Sequence, residues 1–335
     1  MFREMGERVL KGSERVSCAA VSGPDEEWAE RLLPFLAHKG GIWVRQIERT
    51  LREDLSPLVS SYYLLYLPPA EPVANVSVFR TGRVGLLGHV FTHPAHRRKG
   101  AASVLVEAAV EDFRAAGGAA LYLGTGYDSP PYHIYRRFGF AGVYEGSGFM
   151  EYYVADRGEF LVDYFRPAEA EVGPLRYADW PLLVALLGQE RGGVLRLCTR
   201  GHNGRQNFEG RFLGLLEDVE AGRARCLVAR SRETGAAVAV AVAEEDPRLP
   251  GVEALDAFSH PNFQGMLPGM VERLTEGTGK PVLARIDGTS AGRVEALRKV
   301  GFREVCRLEG LVEVPAGLAG SGQRSDLVLL LKEAS

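Results

Sequence analysis

The stretch Val90-Phe91-Thr92-His93-Pro94-Ala95-His96-Arg97-Arg98-Lys99-Gly100-Ala101-Ala102-Ser103 reads as a strand that ends in a basic turn and starts a helix. Gly100 lets backbone come close to a bound group, and Ala101 and Ala102 keep the first helical turn unobstructed. The N–H groups of that turn, as far as Ser103, lack intrahelical acceptors. Such a helix end attracts anions, and Arg97, Arg98 and Lys99 add charge suited to phosphate. The same residues would also make an exposed basic turn before a small-residue helix start, so this stretch alone leaves both readings open.

The surrounding elements alternate between strand and helix. Residues 15–22 read as a strand, and residues 26–39 as a helix whose Trp28, Leu32, Leu33, Phe35 and Leu36 suit one face, with Pro34 as a point of kinking or splitting. A second helix is expected from Ile42 to about Asp54. The strands 62–67 and 73–79 form a hairpin across Pro68-Pro69-Ala70-Glu71, and the turn Thr81-Gly82 opens the strand 84–92. A helix at 101–116, a strand at 119–123, a short helix at 130–138 and a hairpin of 140–144 with 149–154 complete one α/β domain, set at 1–155. Residues 156–173 mix Phe160, Leu161, Val162, Tyr164 and Phe165 with Pro and Gly, which predicts a partly packed connector.

From 174 to 335 the order of signals begins again: a strand at 175–177, a helix at 179–187 capped by Asp179, a helix at 208–220, the strands 225–230 and 236–243, a strand at 252–259, a helix near 267–276, a strand at 282–286, a helix at 291–300 and a final hairpin. Phe91-Thr92-His93-Pro94 recurs as Phe258-Ser259-His260-Pro261, and Tyr135-Arg136-Arg137-Phe138-Gly139-Phe140 as Leu297-Arg298-Lys299-Val300-Gly301-Phe302, in the same order and at nearly one offset. Two such matches predict a duplicated fold. The second copy lacks the basic triplet and has Leu297 where Tyr135 stands in the first. Residues 188–211 hold Arg191, Arg196, Arg200, Arg205 and Arg211 with several glycines, and read as a solvated loop or a mobile flap over a cleft.

These motifs resemble the GNAT superfamily of acetyl-CoA-dependent N-acetyltransferases, whose pyrophosphate loop Arg/Gln-x-x-Gly-x-Gly/Ala is matched by Arg97, Gly100 and Ala102, and whose Tyr-x-x-x-Gly-Phe signature is matched at Tyr135 to Phe140. The resemblance implies an α/β (α+β) fold of two tandem GNAT-like domains, each a mixed, mostly antiparallel central sheet flanked by helices. It further implies that Val90, Phe91 and Thr92 pair their backbone with the pantetheine of acetyl-CoA. The loop from Arg97 through Lys99 and Gly100 to Ser103 would hold the pyrophosphate, and strands on either side would splay to admit the thioester, with the acceptor amine approaching from the opposite side. Tyr135 is implied as the acid that protonates the leaving thiolate. The family often places a carboxylate on the central strand as the base, whereas here Val84 to Val90 offers only His89 as a titratable group, a candidate base or a structural histidine. Gly85 and Gly88 leave room beside it. Asp128 stands where an Asn is common before the signature Tyr and could orient an amine or cap a helix.

The expected function is therefore transfer of acetyl from acetyl-CoA, a cosubstrate, to a primary amine on a small molecule or peptide. The alternative is a non-catalytic acyl-CoA-binding or sensing protein. With 40 basic and 43 acidic residues among 335 and a net charge of -3, no basic stripe suits nucleic acid. No run of 18 or more apolar residues suggests a membrane span, and charged residues within 1–14 occupy the place of a signal peptide's apolar core, so a cytoplasmic location is expected. Cys18, Cys198, Cys226 and Cys306 are too scattered for a zinc site or a disulfide framework and read as reduced core thiols; no metal is expected. A homo-oligomer stays open.

Overall fold

The computed structural model describes residues 1–334. The chain divides into two compact units, Met1–Gly142 with Gly146–Arg157, and Val143–Glu145 with the residues from Gly158 onward.

The first unit contains β1 (Phe2–Leu10), β2 (Glu14–Ser22), α1 (Glu26–Leu36), α2 (Gly41–Arg52), β3 (Val59–Leu67), β4 (Glu71–Thr81), β5 (Val84–Thr92), α3 (Ala101–Ala115), β6 (Ala120–Gly124), α4 (Pro130–Arg137), β7 (Ala141–Gly142) and β8 (Phe149–Tyr153). Its eight-stranded sheet runs β1-β2-β3-β4-β5-β6-β8-β7. Every pairing is antiparallel except that of β5 with β6, which is parallel over Val84↔Ala120 to Leu86↔Tyr122. Beyond Leu86 both strands continue unpaired to each other, so the sheet opens there.

Local sequence explains the helices. The Asp25 carboxylate caps α1 by accepting from Trp28 N–H at 3.2 Å, Glu26 and Glu27 complement the helix dipole, and the spacing of Trp28, Ala29, Leu32 and Leu36 buries one face. The helix runs through Pro34 and tightens to a 3-10 turn at Ala37–Lys39 rather than breaking. On the other sheet face Leu105, Val106, Ala109, Val110 and Phe113 of α3 pack against Val76, Val78, Leu87, Leu121 and Leu123. Truncating Phe113 there to Ala would cost ~3–5 kcal/mol. The charged N-terminus, which shows no strand alternation in sequence, is β1, held by its ladder to β2.

The second unit contains most of α5 (Arg157–Tyr164), then β9 (Ala170–Pro174), α6 (Trp180–Leu187), β10 (Leu195–Leu197), β11 (His202–Asn203), α7 (Glu209–Glu220), β12 (Ala224–Ser231), β13 (Ala237–Glu245), β14 (Glu253–Ser259), α8 (Leu267–Thr275), β15 (Val282–Asp287), α9 (Ala291–Arg298), β16 (Arg303–Glu313) and β17 (Arg324–Lys332). Its main sheet runs β16-β17-β15-β14-β13-β12-β9, again with a single parallel pair, β14 with β15. Each unit is thus a mixed, mostly antiparallel sheet flanked by helices.

Several expectations need correction. The strand placed at 175–177 lies instead at β9, paired with β12, because a 3-10 turn occupies Tyr177–Asp179. Asp179 does not cap α6; its carboxylate turns back to Arg176 N–H at 2.7 Å and to Arg230. Residues 188–211 are neither solvated nor free: Arg196, His202 and Arg205 are buried and β10 pairs with β11. Backbone carbonyls of Leu187, Gln189 and Gly193 all accept from the Arg196 guanidinium, which draws this arginine inward. All four cysteines are free thiols, but only Cys18 and Cys226 are buried; Cys198, in a 3-10 turn, and Cys306, on the edge strand β16, are half-buried. Among the described residues no helix is long and apolar enough to cross a membrane, and no group of three or more His, Cys, Asp or Glu is placed to hold a metal ion.

Candidate functional site

The opening between β5 and β6 begins at an irregularity in β5. Asn75 pairs with Phe91 and Ser77 with Gly88, so His89 and Val90 together oppose Val76, a β-bulge. His89 takes a left-handed backbone, φ 50°, uncommon for a residue with a side chain. The buried Asn75 amide pins this bulge by donating to His89 O at 3.0 Å. Beyond it the strand turns at His93-Pro94, where His93 Nδ1 accepts from Ala95 N–H.

The chain then passes through two left-handed residues, Arg98 at φ 64° and Gly100 at φ 90°. A Cβ on Gly100 would meet nothing within 4 Å, so glycine serves the backbone angle, and the space above it is open. No side chain caps α3, and its first helical hydrogen bond runs from Val104 N–H to Gly100 O. The N–H groups of Ala101, Ala102 and Ser103 are therefore available at the positive end of the helix.

These parts enclose a cavity of about 430 Å³. Val90, Phe91, Thr92, Arg97, Arg98, Gly100, Ala101, Ala102 and Ser103 all line it, and Pro130, Pro131, Ile134 and Tyr135 of α4 form the facing wall. Lys99 is the exception: its ammonium turns away to Glu14 Oε2 at 2.9 Å, and His96 Nδ1 lies 2.6 Å from Glu14 Oε1. The hydrogen bond from Lys99 is the main cause that holds Glu14 below the usual carboxylate range. No carboxylate lines the cavity, and Arg97, whose Nε donates to Thr92 O at 3.1 Å, leaves its charge over the Phe91 ring at the rim. An uncapped helix end, positive side chains and an apolar wall together suit an anion that carries an apolar or amide arm.

Tyr135 is buried at the cavity wall, with its ring 6.0 Å from that of Phe140. His89 lies on the α1–α2 side, edge-on to Trp43 and Phe79. Its Nε2 contacts Gln46 Oε1, an acceptor whose amide is oriented by a bond to Thr50 Oγ1, so Nε2 carries the proton. Burial pushes the imidazole down to about 3, aided by the charge of Lys39. Asp128 is not brought to the cavity; it is exposed, takes φ 56°, and lies 3.0 Å from His133 Nε2. Nor does it cap α4, since Ser129 Oγ accepts from Tyr132 N–H. The room at Gly85 is filled by Phe113 and Leu121, whereas at Gly88 it stays open. Sequence reasoning gave no role to Glu14, Gln46 or Asn75, and each acts on a residue distant in sequence.

Residues 25–140 match the family model described as Acetyltransferase (GNAT) family. Over these residues the chain is similar to that family. The matched residues include β5, the loop, α3 and Tyr135, and so the whole cavity wall. No curated protein matches the chain. Among solved structures it is similar to a GNAT superfamily phosphinothricin acetyltransferase from Sinorhizobium meliloti in complex with AcCoA, with 15% identity, 50% of this chain and 89% of that chain covered, and a TM-score of 0.40. A ribosomal-protein-alanine N-acetyltransferase from Brucella melitensis matches at 18% identity over 49% and 99% of the two chains, TM-score 0.36. A spermidine N-acetyltransferase from Vibrio cholerae in complex with CoA and spermine matches at 10% over 48% and 94%, TM-score 0.38.

Proposed function

We propose that the first unit binds acetyl-CoA in the cavity between β5, α3 and α4 and transfers its acetyl group directly to a primary amine of a small molecule or peptide. The observation that carries this reading is the conjunction, around one 430 Å³ cavity, of an opened strand edge at Val90–Thr92, an uncapped helix N-terminus at Gly100–Ser103, and Tyr135 on the facing wall. The pyrophosphate would meet the N–H groups of residues 98–102 with Arg97 and Arg98 as its cations, while Lys99 contributes backbone only. The backbone of Val90 to Thr92 would pair with the amide arm.

Tyr135 is assigned as the acid that protonates the departing thiolate. His89 is not assigned as the base. Moving a proton from an alkylammonium near 10.4 to an imidazole near 3 is uphill by roughly 10 kcal/mol. The amine must then arrive neutral or lose its proton to water, and His89 shapes the bulge rather than accepting the proton. The second unit, with the strand order of the first apart from β1 but no such loop, is read as a degenerate copy without acetyl-CoA.

Calorimetry with acetyl-CoA should give one site per chain, and a panel of amines should release free thiol. Two equivalent sites would overturn the assignment of the second unit. Tight binding with no thiol release from any amine would favour the alternative, a non-catalytic acyl-CoA sensor, for which the missing carboxylate on β5 is the supporting observation.

A further inference from the structure

Lys39 ends the 3-10 turn between α1 and α2, and its Nζ donates to Val90 O at 3.1 Å across 51 positions of sequence. Val90 is both a bulge residue and a cavity-lining residue. The side chain is half-buried, and among the described residues no carboxylate pairs with it. Burial alone lowers its pKa from the ordinary lysine value. An ammonium taken partly out of water without a counter-ion favours its neutral form.

Lys99 provides the contrast within the same unit. It also flanks the cavity, but Glu14 at 2.9 Å stabilises its charged form and directs it away. Of the two amines, only Lys39 combines proximity to the opened strand, partial desolvation and no carboxylate partner. These are the conditions an amine nucleophile requires.

We infer that Lys39 is itself a site of acetylation by this chain. The inference rests on the acetyl-CoA reading above. In the step, the Lys39 Nζ lone pair forms an amide bond to the acetyl carbon, and the thioester C–S bond breaks. CoA leaves as thiolate and takes up the proton lost by the amine. The product keeps one N–H that can still donate to Val90 O, while a positive charge disappears beside His89.

The test is incubation of the full chain with deuterium-labelled acetyl-CoA, followed by intact-mass measurement and peptide mapping. The expected result is the gain of one labelled acetyl group per chain, on Lys39, ahead of Lys11, Lys99, Lys280, Lys299 and Lys332. Lys39→Arg, which keeps the cation and the donor to Val90 O, should lose that group, and Gly100→Glu, which obstructs the cavity, should suppress labelling of Lys39 in the wild-type position. Label spread evenly over the lysines, or Lys39 labelling that persists in Gly100→Glu, would overturn the inference by showing simple chemical acetylation. Calorimetric binding of acetyl-CoA with Lys39 unlabelled would overturn it and leave the acetyltransferase reading intact. Absence of both binding and label would overturn that reading and this inference with it.

Discussion

The two units part their sheets in the same manner and use the gap differently. In each, a strand runs parallel to its neighbour for three pairs and then diverges, Val84–Leu86 along Ala120–Tyr122 and Glu253–Leu255 along Val282–Ala284. Each then turns at a His-Pro pair whose imidazole Nδ1 accepts from the N–H two residues on, at 3.4 Å for His93 and 3.3 Å for His260. After His93 the left-handed residues Arg98 and Gly100 set α3 back and leave a cavity. After His260 a 3-10 segment, Pro261–Met266, kinked at Phe263, leads directly into α8, buries Phe263 and packs Gln264 on Gly292.

The second gap also contains its own chain. Strand β10 lies against β14 and β15, Val194 and Leu195 donate their N–H groups to Asp287 Oδ2 at 2.9 and 3.0 Å, and Arg293 Nη1 donates to Leu195 O at 2.6 Å. Gly193 permits this, since a Cβ there would lie 1.9 Å from Ser290 Oγ. Arg196 covers the Phe258 ring at 4.9 Å. A strand geometry that opens a cleft therefore leaves a cavity only when the following turn and the neighbouring loop keep the cleft empty.

The sharpest way to break this contrast is to fill the first gap. Gly100→Glu places a side chain with no steric obstacle in the apo protein but with bulk and negative charge in the cavity, at a φ that costs ~1–2 kcal/mol for an L-residue. It should weaken acetyl-CoA binding at least ~1,000-fold, about 4 kcal/mol, in a variant whose circular dichroism is unchanged. Retained affinity would place the site elsewhere. Next in size, Tyr135→Phe should lower kcat roughly 10- to 1,000-fold with little change in acetyl-CoA affinity, because protonation of the thiolate belongs to the transition state. An unchanged kcat, with chemistry rate-limiting, would reduce Tyr135 to packing against Phe140.

The filled gap makes a prediction of its own. His202 is buried beside Phe208, and burial pushes its imidazole down to about 3. Because the folded value lies below the unfolded one, the unfolded state binds the proton first. Stability is then unaffected above about pH 6.5 and declines as pH falls from there towards 3, by about 2 kcal/mol at pH 5 from this residue. His202→Phe should remove that part of the acid slope in urea unfolding at pH 7 and pH 5, leaving the parts due to the other histidines that burial pushes down, His89 and His260 among them. An unaltered slope would show that His202 is protonated in the folded chain. The smallest effect is expected at Lys99, whose ammonium is committed to Glu14: Lys99→Ala should weaken acetyl-CoA by less than ~3-fold, about 0.7 kcal/mol. A loss matching that of Arg98→Ala would mean that Lys99 swings round to the phosphates.

The sequence by itself determined what depends on neighbours along the chain. The one-face spacing of Trp28, Leu32 and Leu36 predicts α1, residues 15–22 read as the strand that is β2, and the basic turn at 97–99 before two alanines marks a helix start with free N–H groups. The order of strands and helices, read twice, anticipates two sheets of like pattern. What the tertiary structure decided depends on partners far away. Lys99 looks like one of three equivalent cations until Glu14, across 85 positions, takes it. Gly85 and Gly88 look alike in sequence, yet Phe113 fills the room at one and nothing fills it at the other. Arg196 sits in a polar, glycine-rich stretch that reads as solvated, but it finds three carbonyls and an aromatic face that only folding assembles. Caps and periodicity are local and leave a pattern within a few residues, whereas the partner of a charge and the occupant of a gap are fixed by strand register and packing, which no short window of sequence contains.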